Sequence, residues 1–237
     1  MVMAKRSDRL SLCLHGVERS AEREGADRVR LMTNAGEVVG RLHLAETGNA
    51  AILWVFGSGG GLGGPAGGLY TRLAEQFRPM AVTSLELDYR HPGDLRHCVL
   101  DVLLGVSYLG SLGRTRIVLV GHSFGGAVVI NAGAVSQAVI AVAALSSQSC
   151  GTDRVGELSP KPAMFIHGSA DEVLSDRCSR DLYARAGEPK QLILYPGCRH
   201  GLDQWRDALD RDLTRWLQQV LAPDSPVTGS GSRAPER

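Results

Sequence analysis

Apolar residues follow two alternating patterns along the middle of the chain. Short, nearly continuous apolar runs are typical of strands covered on both faces of a parallel sheet, and they occur at 51–56, 81–87, 116–120, 138–145, 162–167 and 191–195. Between them, apolar residues recur every three or four positions, which predicts amphipathic helices at 69–78, 94–109, 124–134, 175–186 and 203–221. Two earlier segments, 28–33 and 38–45, flank the turn-forming Asn34-Ala35-Gly36-Glu37 and predict an antiparallel hairpin. A hairpin followed by repeated strand–helix units predicts an α/β fold, with helices on both faces of a mostly parallel sheet of about eight strands.

Both ends of the chain depart from this pattern. The length of 237 residues fits one large α/β domain, which we predict at 27–221. Residues 1–26 are strongly charged with little apolar periodicity, so we expect a loosely ordered leader. Residues 222–237 contain three prolines and a Gly-Ser repeat, and they predict a disordered tail.

Charge and cysteine content exclude several classes of partner. A net charge of +1 gives no electrostatic basis for binding nucleic acid. The five cysteines contain no Cys-x-x-Cys pair, so neither a metal site nor a disulfide framework is predicted, and a reducing compartment suits them. There is no signal-like apolar start and no run of about 20 apolar residues. The sequence therefore predicts a cytoplasmic protein without a membrane or nucleic-acid partner.

One five-residue motif carries the strongest chemical signal. Gly121-His122-Ser123-Phe124-Gly125 lies between a buried strand and the start of a helix. A serine on such a sharp turn has a strained backbone, and glycines two positions to either side avoid collisions. This arrangement is a nucleophile elbow, and it predicts that Ser123 is a catalytic nucleophile. The alternative is a glycine-rich turn that only begins a helix.

Two further residues complete a catalytic set with Ser123. Asp171 and His200 follow the apolar runs 162–167 and 191–195, and the carboxyl ends of parallel strands meet at one edge of a sheet. A serine hydroxyl needs a base to accept its proton, which is the role predicted for His200. A carboxylate must hold the imidazole in the correct tautomer, which is the role predicted for Asp171. The order Ser, Asp, His along the chain agrees with this assignment.

Four neighbouring residues compete for these roles. Glu172 adjoins Asp171, although Asp171 lies nearer the strand end. Asp203 is predicted to cap the final helix. The elbow directs His122 away from the Ser123 hydroxyl, and His167, at a strand end, is assigned a structural role.

The segment from Trp54 to Pro65 begins at the end of the run 51–56 and is rich in glycine from Gly57 onward. Acyl transfer needs preorganised donors for an oxyanion, and we predict the backbone amides of Ser58 and Phe124. The same segment contains Gly59-x-Gly61-x-x-Gly64, followed by Glu86 and Asp88, which matches a dinucleotide-binding fingerprint. So many glycines make this match nearly unavoidable, and Pro65 interrupts the helix register. Dinucleotide binding is therefore the weaker interpretation.

Together these motifs resemble the α/β-hydrolase fold superfamily over residues 27–221. Phe56-Gly57-Ser58-Gly59-Gly60 is similar to its His-Gly-x-Gly-Gly oxyanion loop, with Phe56 in place of the usual His. Asp88-Tyr89-Arg90 is similar to its Asp-x-Arg-Gly turn, although the usual glycine is absent. His167-Gly168-x-x-Asp171 and Gly197-x-x-His200 resemble the segments that carry the acid and the base.

The resemblance also restricts the type of hydrolase. Many members insert a cap domain after the sixth predicted strand, but the segment from Ser146 to Pro162 is too short for one. Members without a cap include small esterases and dienelactone hydrolases, and the latter use a cysteine where this chain has Ser123. The resemblance implies a serine hydrolase that cleaves small carboxylic esters or related acyl compounds through an acyl-enzyme, without metal or cofactor. Peptidase, thioesterase and acyltransferase activities stay open, and a noncatalytic hydrolase-fold binding protein is the alternative from another class.

Overall fold

The computed structural model describes residues 11–22 and 25–222. The strands are β1 (Leu14–Ala21), β2 (Asp27–Thr33), β3 (Gly36–His43), β4 (Ala50–Val55), β5 (Val82–Asp88), β6 (Arg116–His122), β7 (Val139–Leu145), β8 (Ala163–Gly168) and β9 (Lys190–Tyr195). The α-helices are α1 (Pro65–Phe77), α2 (Leu95–Ser111), α3 (Phe124–Val135), α4 (Arg177–Arg185) and α5 (Arg206–Leu221).

These strands form one sheet in the order β1-β2-β3-β5-β4-β6-β7-β8-β9. β1, β2 and β3 pair antiparallel, and β3 also pairs antiparallel with β5. From β5 to β9 across the sheet every pairing is parallel. The predicted N-terminal hairpin and mostly parallel sheet are thus confirmed, and the carboxyl ends of β4 to β9 lie at one edge.

The sheet has nine strands rather than eight, because β1 lies inside the segment expected to be loosely ordered. No side chain of β1 is fully buried. Its sequence therefore lacks the alternation of apolar and polar residues from which a strand is predicted. Its order comes from backbone pairing with β2 and from ion pairs across the two strands, Arg19 with Asp27 and Arg30 with Glu18. The predicted tail from 223 onward lies outside the described residues.

Two apolar layers cover the sheet. Alternate residues of β4 face opposite sides, with Leu53 and Val55 in one layer and Ile52 and Trp54 in the other. Helices α2, α3 and α4 complete the first layer, and α1 and α5 complete the second. None of the helices in the described ranges combines the length and apolar character that crossing a bilayer requires.

Two helix starts differ from the sequence prediction. Helix α1 begins at Pro65, but Ala66, Gly67 and Gly68 have left-handed backbone angles, so regular helical geometry begins near the predicted position 69. The prediction that Asp203 caps the last helix is wrong. Asp203 begins a short 3-10 helix, Asp203–Trp205, and α5 follows without a side-chain cap.

Two glycines in α2 provide a matched test of the packing between α2 and the sheet. A Cβ placed on Gly105 would lie 2.7 Å from methyl carbons of both Leu53 and Leu87, whereas a Cβ on Gly110 would meet nothing within 4 Å. We expect Gly105→Ala to lower the free energy of unfolding by about 1–3 kcal/mol through overpacking. Gly110→Ala should be neutral or stabilising by up to about 1 kcal/mol, because alanine favours helix. Denaturant unfolding measures both changes, and equal effects would contradict this packing.

Candidate active site

Three of the predicted site residues lie at the carboxyl edge of the sheet. Ser123 directly follows β6, Asp171 lies in the turn after β8, and His200 lies in the loop after β9. Because β6, β7, β8 and β9 are parallel neighbours, these loops leave the sheet on the same side.

The backbone at Ser123 has the strained geometry expected of an elbow, with φ 57° and ψ −124°. Its amide donates to the carbonyl of Leu145 at 2.8 Å, which ties the turn to β7. A Cβ on Gly121 would collide with the carbonyl of Gly125, and a Cβ on Gly125 would collide with the carbonyl of Phe56. Glycine at both positions is therefore a steric requirement of this turn.

Asp171 and His200 form a direct hydrogen bond. His200 Nδ1 donates to Asp171 Oδ2 at 2.7 Å, which leaves Nε2 as the imidazole nitrogen free to accept a proton. The Asp171 side chain is fully buried, and that of His200 is 16% exposed. In the described part of the chain, His200 Nε2 has no hydrogen-bond partner.

Glu172, the competing carboxylate, has a different role. Its Oε2 accepts from the backbone amide of His200 at 3.2 Å, and its Oε1 pairs with Arg199 at 3.2 Å. Its side chain is largely exposed. Asp171 therefore holds the imidazole, whereas Glu172 holds the backbone of the same loop.

The surroundings of Asp171 favour its ionised form. Burial alone would raise the pKa of the carboxyl, but hydrogen bonds from the amides of Leu174 and Val173 and from His200 lower the pKa below its ordinary value. Both amides donate to Oδ1 at 2.8 Å, so Oδ2 is left to face His200. Asp171 is thus a carboxylate at neutral pH.

His122 also contacts His200, through a hydrogen bond and through its ring. Its Nε2 donates to the carbonyl of His200 at 2.9 Å. Its ring stacks on Phe56, with centroids 5.3 Å apart, and packs on the ring of His200 at 4.8 Å. Burial lowers the pKa of His122 to about 4, so it is a neutral donor that fixes the loop.

The structure does not join Ser123 to His200 directly. Among the described residues, no hydrogen bond links the Ser123 hydroxyl with the His200 imidazole, although the bond from adjacent His122 holds the two loops together. Hydrogen bonds between nucleophile and base are often long in unliganded enzymes and shorten when substrate binds.

The glycine-rich loop after β4 lies against Ser123. A Cβ on Gly57 would be 3.8 Å from the Ser123 hydroxyl oxygen, so the next residue, Ser58, is close to the elbow. Phe124 is the first residue of α3, where an amide has no acceptor within the helix. In the described structure neither the amide of Ser58 nor that of Phe124 has an acceptor, so both are free to donate to another group.

Two carboxylates of β5 hold this loop. Asp88 Oδ1 accepts from the amide of Gly61, and Glu86 Oε2 accepts from the amide of Gly63, both at 2.6 Å. Glu86 Oε1 also contacts His43 Nε2 at 2.9 Å and the hydroxyl of Thr71 at 3.0 Å. In a dinucleotide site the loop amides would face phosphate and the acidic residue would face ribose. Here the amides and carboxylates bind each other, which weighs against that interpretation.

Sequence reasoning missed the role of Glu86 in holding the loop. The available signal was a single charged residue within the predicted strand 81–87. A fully buried carboxylate needs hydrogen-bond partners, but the sequence does not show that one partner is the amide of Gly63. The partners of Asp171 beyond His200 were likewise not predicted.

The sheet order and the elbow at Ser123 are those of the α/β-hydrolase fold. A sequence model described as the alpha/beta hydrolase family matches residues 55–230. The chain belongs to that family.

Similar curated proteins match only short segments. The uncharacterized protein YfhR of Escherichia coli O157:H7 is 32% identical over 84 residues, which are 34% of this chain and 30% of that protein. The uncharacterized protein PA2218 of Pseudomonas aeruginosa is 42% identical over 57 residues, which are 24% of this chain and 14% of that protein. The chain thus matches less than a third of the length of either relative.

Solved structures are similar over most of their length. Est1E from Butyrivibrio proteoclasticus has a TM-score of 0.69 at 17% identity, covering 84% of this chain and 100% of that one. Dienelactone hydrolase from Anabaena variabilis has a TM-score of 0.69 at 15% identity, covering 86% and 99%. XC6422 from Xanthomonas campestris, described as an a/b serine hydrolase without lid, has a TM-score of 0.64 at 16% identity, covering 87% and 100%. At these identities the similarity shows the fold.

The buried carboxylate of Glu86 predicts a pH dependence of stability. Burial opposes its ionisation, but hydrogen bonds from His43, Gly63 and Thr71 outweigh burial and lower the pKa of Glu86. Its contribution is therefore complete above the unfolded pKa of about 4.3 and is lost as pH falls from there through the folded pKa. We expect Glu86→Gln to cost about 1–3 kcal/mol at pH 7 and less at lower pH.

Measurement of the free energy of unfolding from pH 3 to pH 7 tests this expectation. Glu75→Gln is the control, since Glu75 is an exposed carboxylate on α1. That variant should follow the wild-type curve. An equal loss for Glu86→Gln at every pH would show that the charge of Glu86 contributes nothing.

Proposed function

We propose that this protein is a serine hydrolase that cleaves small carboxylic esters, or related acyl compounds, through an acyl-enzyme formed on Ser123. The family and fold support hydrolase activity in general. The observation that carries the finer proposal is the 2.7 Å hydrogen bond between His200 and buried Asp171, at the same sheet edge as the strained Ser123.

In the proposed mechanism each side chain moves or holds one proton. The Ser123 hydroxyl oxygen attacks the carbonyl carbon while His200 Nε2 accepts its proton, and Asp171 stabilises the imidazolium through Nδ1–H. The oxyanion accepts hydrogen bonds from the amides of Ser58 and Phe124. Collapse expels the alcohol, which takes the proton from Nε2. Water then attacks the acyl-enzyme by the same sequence of proton transfers and releases the acid.

The shortness of the segment between β7 and β8 supports the proposal that the substrates are small. The segment contains one 3-10 helix, Asp153–Leu158, and no further helix or strand from which a cap could be built. Two structures with this fold are consistent with such a site, since Est1E has been solved with ferulic acid and XC6422 is described as lidless. No cofactor takes part in the proposed reaction, and a cytoplasmic location remains a prediction from the sequence.

Covalent labelling with a fluorophosphonate tests the nucleophile. We expect the wild-type chain to be labelled at Ser123. Ser123→Ala should not be labelled, and its rate of ester turnover should be lower by about a thousandfold or more. Ser58→Ala is a matched control that should retain labelling, because the proposed contribution of Ser58 is its backbone amide. Labelling of Ser123→Ala at another serine would move the site. A folded wild-type chain that neither labels nor hydrolyses esters would favour the noncatalytic binding protein.

A chain-length series tests the substrate class. Without a cap, a long acyl chain has little apolar wall to contact, so kcat/KM should fall from short to long p-nitrophenyl esters. No jump in rate should occur when the substrate forms micelles, because interfacial activation requires a movable lid. Steady-state rates from acetate to palmitate measure both effects. Preference for the long esters, with a jump at the micellar threshold, would contradict the open cleft.

A further inference from the structure

Asp171 lies between two imidazoles, and the proposed mechanism uses only one of them. Its Oδ2 is 2.7 Å from His200 Nδ1 and 3.0 Å from His167 Nε2. The side chains of His167 and Asp171 are both fully buried, whereas that of His200 is 16% exposed. His167 therefore lies behind the carboxylate and has no access to a substrate.

The hydrogen bonds of His167 determine where its proton lies. Nε2 is 3.0 Å from the carbonyl oxygen of Leu174, and Nδ1 is 2.7 Å from the hydroxyl oxygen of Ser179. A carbonyl only accepts, so Nε2 carries the proton. In the neutral ring Nδ1 is then an acceptor, and the Ser179 hydroxyl donates to it. The polar N–H of His167 thus lies beside the Asp171 carboxylate.

These contacts link His167 to Asp171 by a second route. The carbonyl oxygen of Leu174 accepts from His167, and the amide of the same residue donates to Asp171 Oδ1 at 2.8 Å. The ring of His167 therefore holds the residue whose amide orients one carboxylate oxygen, and it lies against the other oxygen. Loss of the Nε2–H would loosen the turn from Asp171 to Leu174 and leave the partly buried carbonyl of Leu174 without this donor.

We propose that His167 is a positioning residue that holds the Asp171 carboxylate toward His200. Its action on catalysis rests on the proposed hydrolase function. Its action on His200 does not, because the Asp171–His200 hydrogen bond exists without substrate. The ring of His167 is held by its hydrogen bond with the hydroxyl of Ser179, the third residue of α4.

Kinetics of two variants separate this role from a purely structural one. His167→Phe keeps a ring but removes both nitrogens, whereas the amide nitrogen of His167→Gln can still donate to Leu174. We expect His167→Phe to lower kcat about ten- to a hundredfold with little change in KM, since a misplaced carboxylate impairs chemistry more than binding. His167→Gln should recover most of that loss. His15→Phe is the control, because His15 is an exposed histidine on β1. This variant should have the kcat and KM of the wild-type chain.

The hydrogen bond between His200 and Asp171 provides a readout that needs no turnover. Its proton lies between His200 Nδ1 and Asp171 Oδ2, which are 2.7 Å apart. Hydrogen bonds to a carboxylate are short, and the proton in such a bond resonates far downfield. A displaced carboxylate lengthens this bond, so the Nδ1–H resonance of His200 in His167→Phe should move upfield. Proton–nitrogen NMR of labelled histidine, assigned with His200→Gln, measures this change and the predicted Nε2–H tautomer of His167.

An unchanged His200 Nδ1–H resonance in folded His167→Phe would overturn the proposal, and so would equal impairment of His167→Phe and His167→Gln. If His167→Phe does not fold, an Nδ1–H tautomer of His167 in the wild-type chain would overturn it instead. A wild-type chain that shows no labelling or turnover would refute the proposed hydrolase, and the NMR comparison of wild type and His167→Phe would still decide the role of His167.

Discussion

The turn from β6 into α3 passes so close to β4 that the backbone of Gly125 lies against the carbonyl oxygens of Val55 and Phe56. This close contact leaves no room for a side chain, and it fixes the elbow relative to the start of the glycine-rich loop. The strained φ of Ser123 is maintained because the turn is held on both sides, by β4 and by the bond to Leu145 in β7. The position of the glycine-rich loop relative to Ser123 is therefore a consequence of strand packing.

The loop that faces the elbow is held by groups from outside it. Buried Tyr70 and Tyr89 donate to the carbonyls of Val55 and Phe56 at 2.8 and 3.2 Å. Glu86 and Asp88 bind amides farther along the loop. A glycine-rich segment loses much conformational freedom when it is ordered, and these polar contacts offset that loss. The result is a loop with amides oriented before any substrate arrives, which is the condition for stabilising an oxyanion.

Local signals in the sequence predicted most of this architecture. The apolar runs of β4, β6, β7 and β8 are nearly continuous because both faces of those strands are covered, and the elbow motif is confined to five residues. β1 was not predicted because both of its faces are exposed. Asp203 was wrongly predicted to cap α5, because an aspartate is favoured in turns as well as at helix starts. The contacts of Glu86 with Gly63 and of His167 with Leu174 join residues that approach only once the sheet and its turns have formed. No periodicity encodes such pairs, so the structure was needed to find them.

The three histidines near Asp171 differ in burial, since His122 and His167 are buried and His200 is partly exposed. His122 and His167 are buried and hydrogen-bonded to carbonyl oxygens, so each is a directional donor that holds another group in place. Burial disfavours the charged form of His122, which keeps it neutral near the imidazolium expected on His200. His200 alone among the three combines a carboxylate on Nδ1 with an Nε2 that is free in the described structure. The ring of His200 is also the partly exposed one, whereas the side chain of Asp171 beside it is fully buried. Of the three imidazoles, His200 is therefore the one that can bind Asp171 through one nitrogen and present the other to a molecule from outside.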